Sequence, residues 1–255
     1  MTVSVKMIML GLAILCAPYL LCASETESFL EEPICGSFKE PFVFWLWSSV
    51  AGSPDETRIK NIDEIANVSF ETTDNRQLRG YKYSPPKNVD TKGYLLVAQG
   101  NAMIADQIID DFSPLAAQGF DVYIFDYRGY GRSEGKRRLK AILNDYRQLI
   151  HHLDTKQYEY RAFYGMSFGG VVLLDALKED KNHKLLVIDS VPSTLSDHGC
   201  PSEHDPVENI NSIVGSSLFV FGQKDSVVPR EQSKALIENA KSLSKEVIDL
   251  SLIHI

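Results

Sequence analysis

Residues 165–170 read Gly165-Met166-Ser167-Phe168-Gly169-Gly170, a Gly-x-Ser-x-Gly pattern between an apolar segment and a helical one. Such a serine lies at a sharp turn from a strand into a helix, where its hydroxyl is exposed. Side chains at the flanking positions would collide, which accounts for Gly165 and Gly169. The adjoining helix N-terminus favours developing negative charge. The pattern therefore predicts a nucleophile at Ser167, and an ordinary serine in a glycine-rich turn is the alternative.

Short apolar segments alternate with helical ones on both sides of this turn. Segments typical of strands are residues 68–72, 78–83, 94–98, 122–125, 162–164, 185–188, 218–221 and 247–250. Helical spacing marks residues 104–115, 139–153, 171–177 and 230–244. Buried strands that alternate with helices form a mainly parallel sheet, and the first two strands form a hairpin. The prediction is an α/β fold with a doubly wound, mainly parallel sheet and an N-terminal antiparallel hairpin.

Composition disfavours several classes of protein and ligand. The 255 residues suit one medium-sized domain, and a hydrophobic content of 44% is enough to fill a core. A formal charge of −8 disfavours nucleic acid as a partner. No phosphate-binding glycine loop or dinucleotide motif occurs in the sequence, so no cofactor is predicted. The spacing of His198, Cys200 and His204 matches no strong metal-site template, and no feature sets an oligomeric state.

The N-terminus has the composition of a targeting segment. Lys6 precedes an apolar run over residues 7–23, and an acidic stretch follows. This order predicts a signal peptide over residues 1–24, and hence a secreted or periplasmic protein. An uncleaved membrane anchor is the alternative, because the apolar run is nearly long enough to span a bilayer.

Residues 25–66 form an acidic, aromatic lead-in to the domain predicted over residues 67–255. Five aromatic side chains lie close together in it: Phe38, Phe42, Phe44, Trp45 and Trp47. Such a cluster is typical of an N-terminal segment docked on the core, and it is also a candidate membrane contact. In an exported protein, Cys35 and Cys200 are able to form a disulfide. Two unpaired cysteines are the other reading, because the sequence gives no Cα separation.

Three further motifs, each after a predicted strand, resemble those of the α/β-hydrolase superfamily. Gln99-Gly100-Asn101-Ala102 is similar to the family's oxyanion-hole loop, with Gln99 in place of the usual histidine. Residues 126–135 match the loop after the next strand, and residues 222–229 match the loop that carries the catalytic acid. The resemblance covers about residues 67–254. The most similar groups are the serine aminopeptidases, acylglycerol lipases and protein depalmitoylases.

The resemblance implies a role for each matching residue. Ser167 is the nucleophile, and the backbone N–H groups of Asn101 and Phe168 form the oxyanion hole. Asp225 orients the base and stabilises its protonated form. The candidate substrate contacts are Gln99, Tyr130 and Met166.

His254 is the candidate base. It follows the last predicted strand and comes after Ser167 and Asp225, which is the superfamily's chain order. Residues 251–253 lack the glycine or proline expected in the loop that presents the base. A terminal position is also a poor support for a group that must hold its geometry closely. Two readings stay open: His254 is the base, or the chain is truncated before the true one.

The resemblance also implies a reaction class. It implies a serine hydrolase that cleaves carboxylic esters or thioesters through an acyl-enzyme, with a small ester or an acylated molecule as substrate. Residues 191–216 are too few for a large helical lid, which predicts a minimal lid and an open site. A catalytically inactive hydrolase fold used as a binding protein and a serine aminopeptidase-like peptidase are the alternatives.

Overall fold

A computed structural model describes residues 29–60, 62–180 and 185–250. The predicted signal peptide over residues 1–24 and the candidate base His254 lie outside these residues. One sheet of eight strands, in the order β1-β2-β4-β3-β5-β6-β7-β8, forms the centre of the described structure. The strands are β1 (Ile65–Glu71), β2 (Gln77–Tyr83), β3 (Gly93–Ala98), β4 (Phe120–Phe125), β5 (Tyr160–Met166), β6 (Leu185–Asp189), β7 (Ser216–Gly222) and β8 (Lys245–Leu250).

The topology confirms the predicted fold class. Strands β3 to β8 run parallel to one another, whereas β1 pairs antiparallel with β2 and β2 pairs antiparallel with β4. The described helices are α1 (Lys39–Ala51), α2 (Ser113–Ala116), α3 (Leu139–Asp154), α4 (Phe168–Leu177), α5 (Pro206–Asn209) and α6 (Arg230–Asn239). Among the described residues, no helix has both the length and the apolar character that a membrane crossing requires.

Strand β3 is buried along its whole length because it contributes to a core on each side of the sheet. Tyr94 and Leu96 belong to the larger core, which includes the inner faces of α3 and α4. Leu95 and Val97 point the other way into a smaller core. A strand between two apolar layers requires apolar residues at every position rather than at alternate ones. This requirement explains the continuous apolar run that the sequence shows there.

The helix predicted over residues 104–115 is wrong. The chain instead forms 3₁₀ turns at Ala105–Gln107 and Ile109–Phe112, followed by the short helix α2. Side chains satisfy the turn amides: Asp126 Oδ1 accepts from the Ala105 N–H at 2.8 Å, and Gln107 Oε1 accepts from the Ile104 N–H at 3.0 Å. The apolar spacing correctly marked which side chains are buried, but it did not determine how the backbone is hydrogen-bonded.

The connection from β6 to β7 confirms the minimal lid. It contains only 3₁₀ turns and the four-residue helix α5. Helix α1 of the lead-in packs on the same side of the molecule, with Phe44 and Ala51 in the larger core. The structure pairs Cys35 with Cys200, at an S–S distance of 2.04 Å, so a disulfide joins the segment before α1 to the β6–β7 connection.

A fully buried arginine holds the loop after β4 in place. The Arg128 guanidinium contacts both carboxylate oxygens of Asp74, in the hairpin turn, and both of Asp145, on α3. Burial raises the pKa of Asp145 to about 6, although Arg128 contacts it. Burial alone would raise the pKa of Asp74 too, yet hydrogen bonds from Arg128 and Thr72 outweigh it and hold that pKa below its usual value. The arginine thus joins three distant parts of the chain.

Replacing this arginine tests the network. Arg128→Met leaves two buried carboxylates without their cation, so we expect a loss of about 3–5 kcal/mol in the free energy of unfolding, measured by urea denaturation. The matched control is Arg79→Met, because Arg79 is exposed and its replacement has little effect. An equal loss in both variants would contradict the special role of Arg128. The combined change with Asp74→Asn and Asp145→Asn recovers part of the loss.

Candidate active site

The parallel strands bring three of the predicted residues together at the carboxyl ends of the strands. Ser167 follows β5, Asn101 lies shortly after β3, and Asp225 lies shortly after β7. Carboxyl ends of neighbouring parallel strands meet at the same edge, and a crevice forms outside them. The topology therefore concentrates these side chains, which are far apart in the sequence.

Ser167 has a backbone conformation that few residues other than glycine adopt. Its φ is +50° and its ψ is −118°, which costs on the order of 1–3 kcal/mol. The Ser167 N–H donates to the Asp189 carbonyl at 2.7 Å, and its own carbonyl accepts from the Gly170 N–H at 3.0 Å. These bonds fix the sharp turn between β5 and α4 that the sequence pattern predicts.

The two glycines around Ser167 are required by close backbone packing. A Cβ at Gly169 would lie 1.8 Å from the Ala98 carbonyl oxygen, and a Cβ at Gly165 would lie 2.5 Å from the Gly170 Cα. Backbone atoms cannot yield as the end of a flexible side chain does. The first turn of α4 therefore lies directly against the end of β3, which keeps the Phe168 N–H near the Asn101 loop.

Adding one methyl group tests this packing. We expect Gly169→Ala to lower the free energy of unfolding by about 3 kcal/mol or more, because the new Cβ forces α4 away from β3. The control is Gly100→Ala, where the nearest atom to a new Cβ is the flexible Met103 Sδ at 3.3 Å. Thermal unfolding of both variants measures the difference. A Gly169→Ala protein as stable as the parent would contradict the close approach.

A cavity of about 330 Å³ contains Ser167 in its lining, together with Asn101 and Phe168. Its walls come from α1, from the β6–β7 connection and from the loop after β7. Most of the lining side chains are apolar, and they include Val43, Phe44, Trp47, Leu139, Val171, Pro192, Leu195, Val227 and Val228. The arrangement presents a serine hydroxyl to an apolar space, which suits an acyl group or another apolar substituent.

Helix α1 narrows the site that the sequence predicted to be open. The rings of Phe44 and Phe168 meet edge to face with centroids 5.5 Å apart, and Trp47 lies 6.2 Å from Phe168. Aromatic pairs in this geometry stabilise the contact beyond the area that they bury. The β6–β7 connection is too short for a lid, but the lead-in supplies one wall of the cavity instead.

Sequence reasoning missed this wall although a signal for it was present. Glu40, Val43, Phe44 and Trp47 recur at the spacing of one helix face, and all four line the cavity. The sequence revealed an apolar helical face but not the surface that it covers, because that contact joins segments more than a hundred residues apart.

Asp225 is held in an orientation that leaves one oxygen available. Only 6% of the residue is exposed. Its Oδ1 accepts from the Val227 and Val228 N–H groups, at 2.8 and 2.9 Å. Its Oδ2 is buried and has no hydrogen-bond partner among the described residues. A buried carboxylate oxygen without a donor is costly, so this atom marks the place where a donor is expected.

The three candidate substrate contacts do not line this cavity. Gln99 is buried, and its Nε2 donates to the Phe125 carbonyl at 3.0 Å. Tyr130 is buried against the ring of Tyr127, and burial raises the pKa of its hydroxyl. Met166 is the last residue of β5 and is half-buried. Each lies close to the site in the chain, but only their neighbours Asn101, Ser167 and Phe168 reach the cavity.

One described histidine lines the cavity, namely His198, which lies in the β6–β7 connection. His204 is engaged elsewhere, since its Nδ1 lies 2.9 Å from Asp175 Oδ2. His151 and His152 lie in the last turn of α3. The described part of the chain contains no group of three or more residues able to hold a metal ion.

Comparison with known proteins agrees with this geometry. Residues 89–200 match the model of the serine aminopeptidase family S33. The chain is 24% identical to the uncharacterized protein YfhR of Escherichia coli over 71% of its length and 70% of that protein. It is 24% identical to an uncharacterized membrane protein of Saccharomyces cerevisiae, with 84% of this chain and 82% of that protein covered.

Solved structures share the fold. An esterase of Pyrococcus furiosus superimposes with a TM-score of 0.64 at 20% identity and covers 79% of this chain and 87% of its own. A serine hydrolase of Xanthomonas campestris, described as lacking a lid, superimposes with a TM-score of 0.57 at 17% identity and covers 74% of this chain and 84% of its own. These likenesses show the fold. With its sheet topology and its turn at Ser167, the chain has the α/β-hydrolase fold.

Proposed function

We propose that the protein is a serine hydrolase that cleaves carboxylic esters or thioesters of small acylated substrates. The observation that carries the proposal is the position of Ser167, which lies in a strained turn at the helix N-terminus and lines an apolar cavity. Strain of this kind persists where the surrounding structure enforces it, and it is concentrated at active sites. An ordinary turn serine needs neither the strain nor the cavity.

The reaction follows the acyl-enzyme route. A base removes the Ser167 proton while Oγ attacks the substrate carbonyl, and the Phe168 and Asn101 N–H groups donate to the resulting oxyanion. Collapse of this intermediate expels an alcohol or thiol, which takes the proton from the base, and water then hydrolyses the acyl-enzyme in the same way. We assign the base to His254, with Asp225 Oδ2 accepting from its other ring nitrogen.

Charge in the cavity favours an ester over a peptide N-terminus. An aminopeptidase needs a carboxylate for the substrate ammonium group, and Glu40 is the sole carboxylate among the described lining residues. Both Glu40 oxygens are already used: Oε2 accepts from the Ile34 and Cys35 N–H groups, and Oε1 accepts from the Leu139 N–H. Esters should therefore be hydrolysed in preference to aminoacyl amides.

The size of the cavity limits the acyl group. A volume of about 330 Å³ lies at the lower end of small-molecule sites, which span roughly 300–1,000 Å³. Short to medium acyl chains suit this space. The Cys35–Cys200 disulfide supports a secreted or periplasmic location, because such bonds persist in oxidising compartments. Membrane anchorage by the N-terminal segment is the alternative location.

Loss of the nucleophile tests the proposal. We expect Ser167→Ala to reduce hydrolysis of p-nitrophenyl acyl esters by a factor of about 10⁴ or more, and to abolish labelling by a fluorophosphonate probe. The matched control is Ser49→Ala, which changes an exposed serine on α1. Unchanged turnover by the Ser167→Ala protein would refute a serine mechanism. A folded parent protein that neither turns over esters nor reacts with the probe would indicate a binding protein.

Two histidine variants test the assignment of the base. We expect His254→Ala to lower kcat by about 10⁴-fold. His198→Ala changes kcat by less than about tenfold, because a residue that only contacts bound substrate contributes less to the chemical step than the base does. Steady-state kinetics with one ester and the fold checked by circular dichroism provide the measurement. The reverse order of effects would assign the base to His198, the described histidine that lines the cavity.

A further inference from the structure

Helix α1 is apolar on both of its faces. Its inner face covers the cavity, as described above. Its outer face, including the residue just before the helix, presents Phe38, Phe42, Trp45, Leu46 and Val50, with exposed fractions of 91, 60, 53, 44 and 67%. We call these five side chains the outer face of α1. A surface helix of a soluble protein ordinarily carries polar residues on this side.

The outer face of α1 is contiguous. Its residues recur at the spacing of one helical stripe, and the rings of Phe42 and Trp45 lie with centroids 5.9 Å apart. Two exposed polar side chains of α1 lie on the same stripe, namely Ser49 and Lys39, and the Lys39 ammonium group donates to the His198 carbonyl. Contiguous exposed aromatic surface marks a site of contact with another apolar phase, in contrast to single exposed apolar residues.

A run of cations lies beside this surface. Residues 135–140 read GKRRLK in a chain whose formal charge is −8. This run contacts the segment that leads into α1: Arg138 Nε donates to the Glu31 carbonyl at 3.1 Å, and Lys140 Nζ lies 2.8 Å from the centroid of the exposed Phe29 ring. The Leu139 N–H donates to Glu40 of α1 itself. Lys136 also pairs with Glu31, while 63% of its side chain stays exposed. The cations are therefore tied to the segment that leads into the outer face.

A surface that combines aromatic and basic side chains suits an anionic lipid membrane. Phe, Trp and Leu side chains partition into the boundary between headgroups and acyl chains, while nearby lysines attract anionic headgroups. A second copy of this chain is the alternative occupant, and the test below distinguishes the two. The sequence also carries the apolar run 7–23 a short distance before α1, so the same end of the chain has two features that favour lipid.

We propose that the outer face of α1 docks on an anionic lipid bilayer. In this arrangement Phe38, Phe42 and Trp45 enter the headgroup boundary, and Lys136 and Lys140 contact lipid phosphates. The cavity lies directly behind the same helix, so apolar substrates reach it from the membrane surface. The docking does not depend on the hydrolase activity, and an inactive Ser167→Ala protein binds equally well.

The two tryptophans allow a direct test, because the chain has only these two. In the full chain, Trp47→Phe leaves Trp45 on the outer face, and Trp45→Phe leaves Trp47 at the cavity. Each protein is mixed with vesicles of phosphatidylcholine and phosphatidylglycerol in a two-to-one ratio, with and without brominated acyl chains. We expect brominated lipid to quench Trp45 strongly and Trp47 weakly, with a blue shift only for Trp45.

Matched substitutions separate the apolar contribution to docking from the electrostatic one. Phe42→Ser raises the lipid concentration needed for half-maximal quenching of Trp45 by about tenfold or more. Leu243→Ser has no effect, although Leu243 is 88% exposed, because it precedes the edge strand β8 and is not part of α1. Lys136→Ala and Lys140→Ala each weaken binding about fivefold on the anionic vesicles, and neither does so on phosphatidylcholine alone.

Three outcomes would overturn the proposal. Vesicle binding in which neither tryptophan is quenched would mean that residues 7–23 alone hold the protein. Quenching of Trp45 and Trp47 to the same extent would mean that α1 has unfolded from the cavity. A blue shift of Trp45 that depends on protein concentration and occurs without lipid would assign the outer face of α1 to a second copy of this chain.

Discussion

The positive φ of Ser167 depends on a crossing of backbones that admits no side chain. The end of β3, the end of β5 and the first turn of α4 meet there, and Gly165 and Gly169 provide the space. Because α4 starts immediately at this crossing, its free N-terminal N–H groups point toward the edge of the sheet. The strain at one residue is thus maintained by the packing of the largest core, which α4 shares with β3 and β5.

A second constraint acts at some distance from Ser167. Arg128, buried between Asp74 and Asp145, ties the loop after β4 to the hairpin and to α3. Asp126, two residues earlier, accepts from the Ala105 and Arg132 N–H groups, so the same loop also organises the turns after β3. Those turns follow Asn101, whose N–H group the proposed oxyanion hole uses. One loop therefore connects the hairpin with the turns that follow Asn101 at the carboxyl end of β3.

The sheet could be predicted because a strand that is buried on both faces consists almost entirely of apolar residues. The run Tyr94–Ala98 is apolar at every position, and this pattern excludes a half-exposed strand. Ser167, Asn101 and Asp225 were found through motifs, since each lies where a strand ends. Asp225 Oδ2 has no hydrogen-bond partner in the described part of the chain, which adds a physical reason for the predicted role that the turn-like sequence around it did not contain.

Other features escaped prediction for identifiable reasons. The spacing over residues 104–115 is compatible with a helix, but the Asp126 and Gln107 side chains accept from the amides of the first turn instead. Sequence spacing does not reveal such side-chain acceptors. Tyr130 lies within a recognised motif, yet its ring packs on Tyr127 instead of lining the cavity. The position of α1 at the cavity depends on its contacts with Phe168, more than a hundred residues further along the chain. The sequence of one segment does not show which other segment it contacts.

The disulfide has a consequence for how a substrate fits. Cys35 and Cys200 both line the cavity, and their bond spans the two walls contributed by α1 and by the β6–β7 connection. The disulfide therefore restrains the distance between these walls before any substrate binds. A ligand that matches the cavity therefore loses little free energy to rearrangement of the protein, and separation of the walls gives a bulky ligand only limited room.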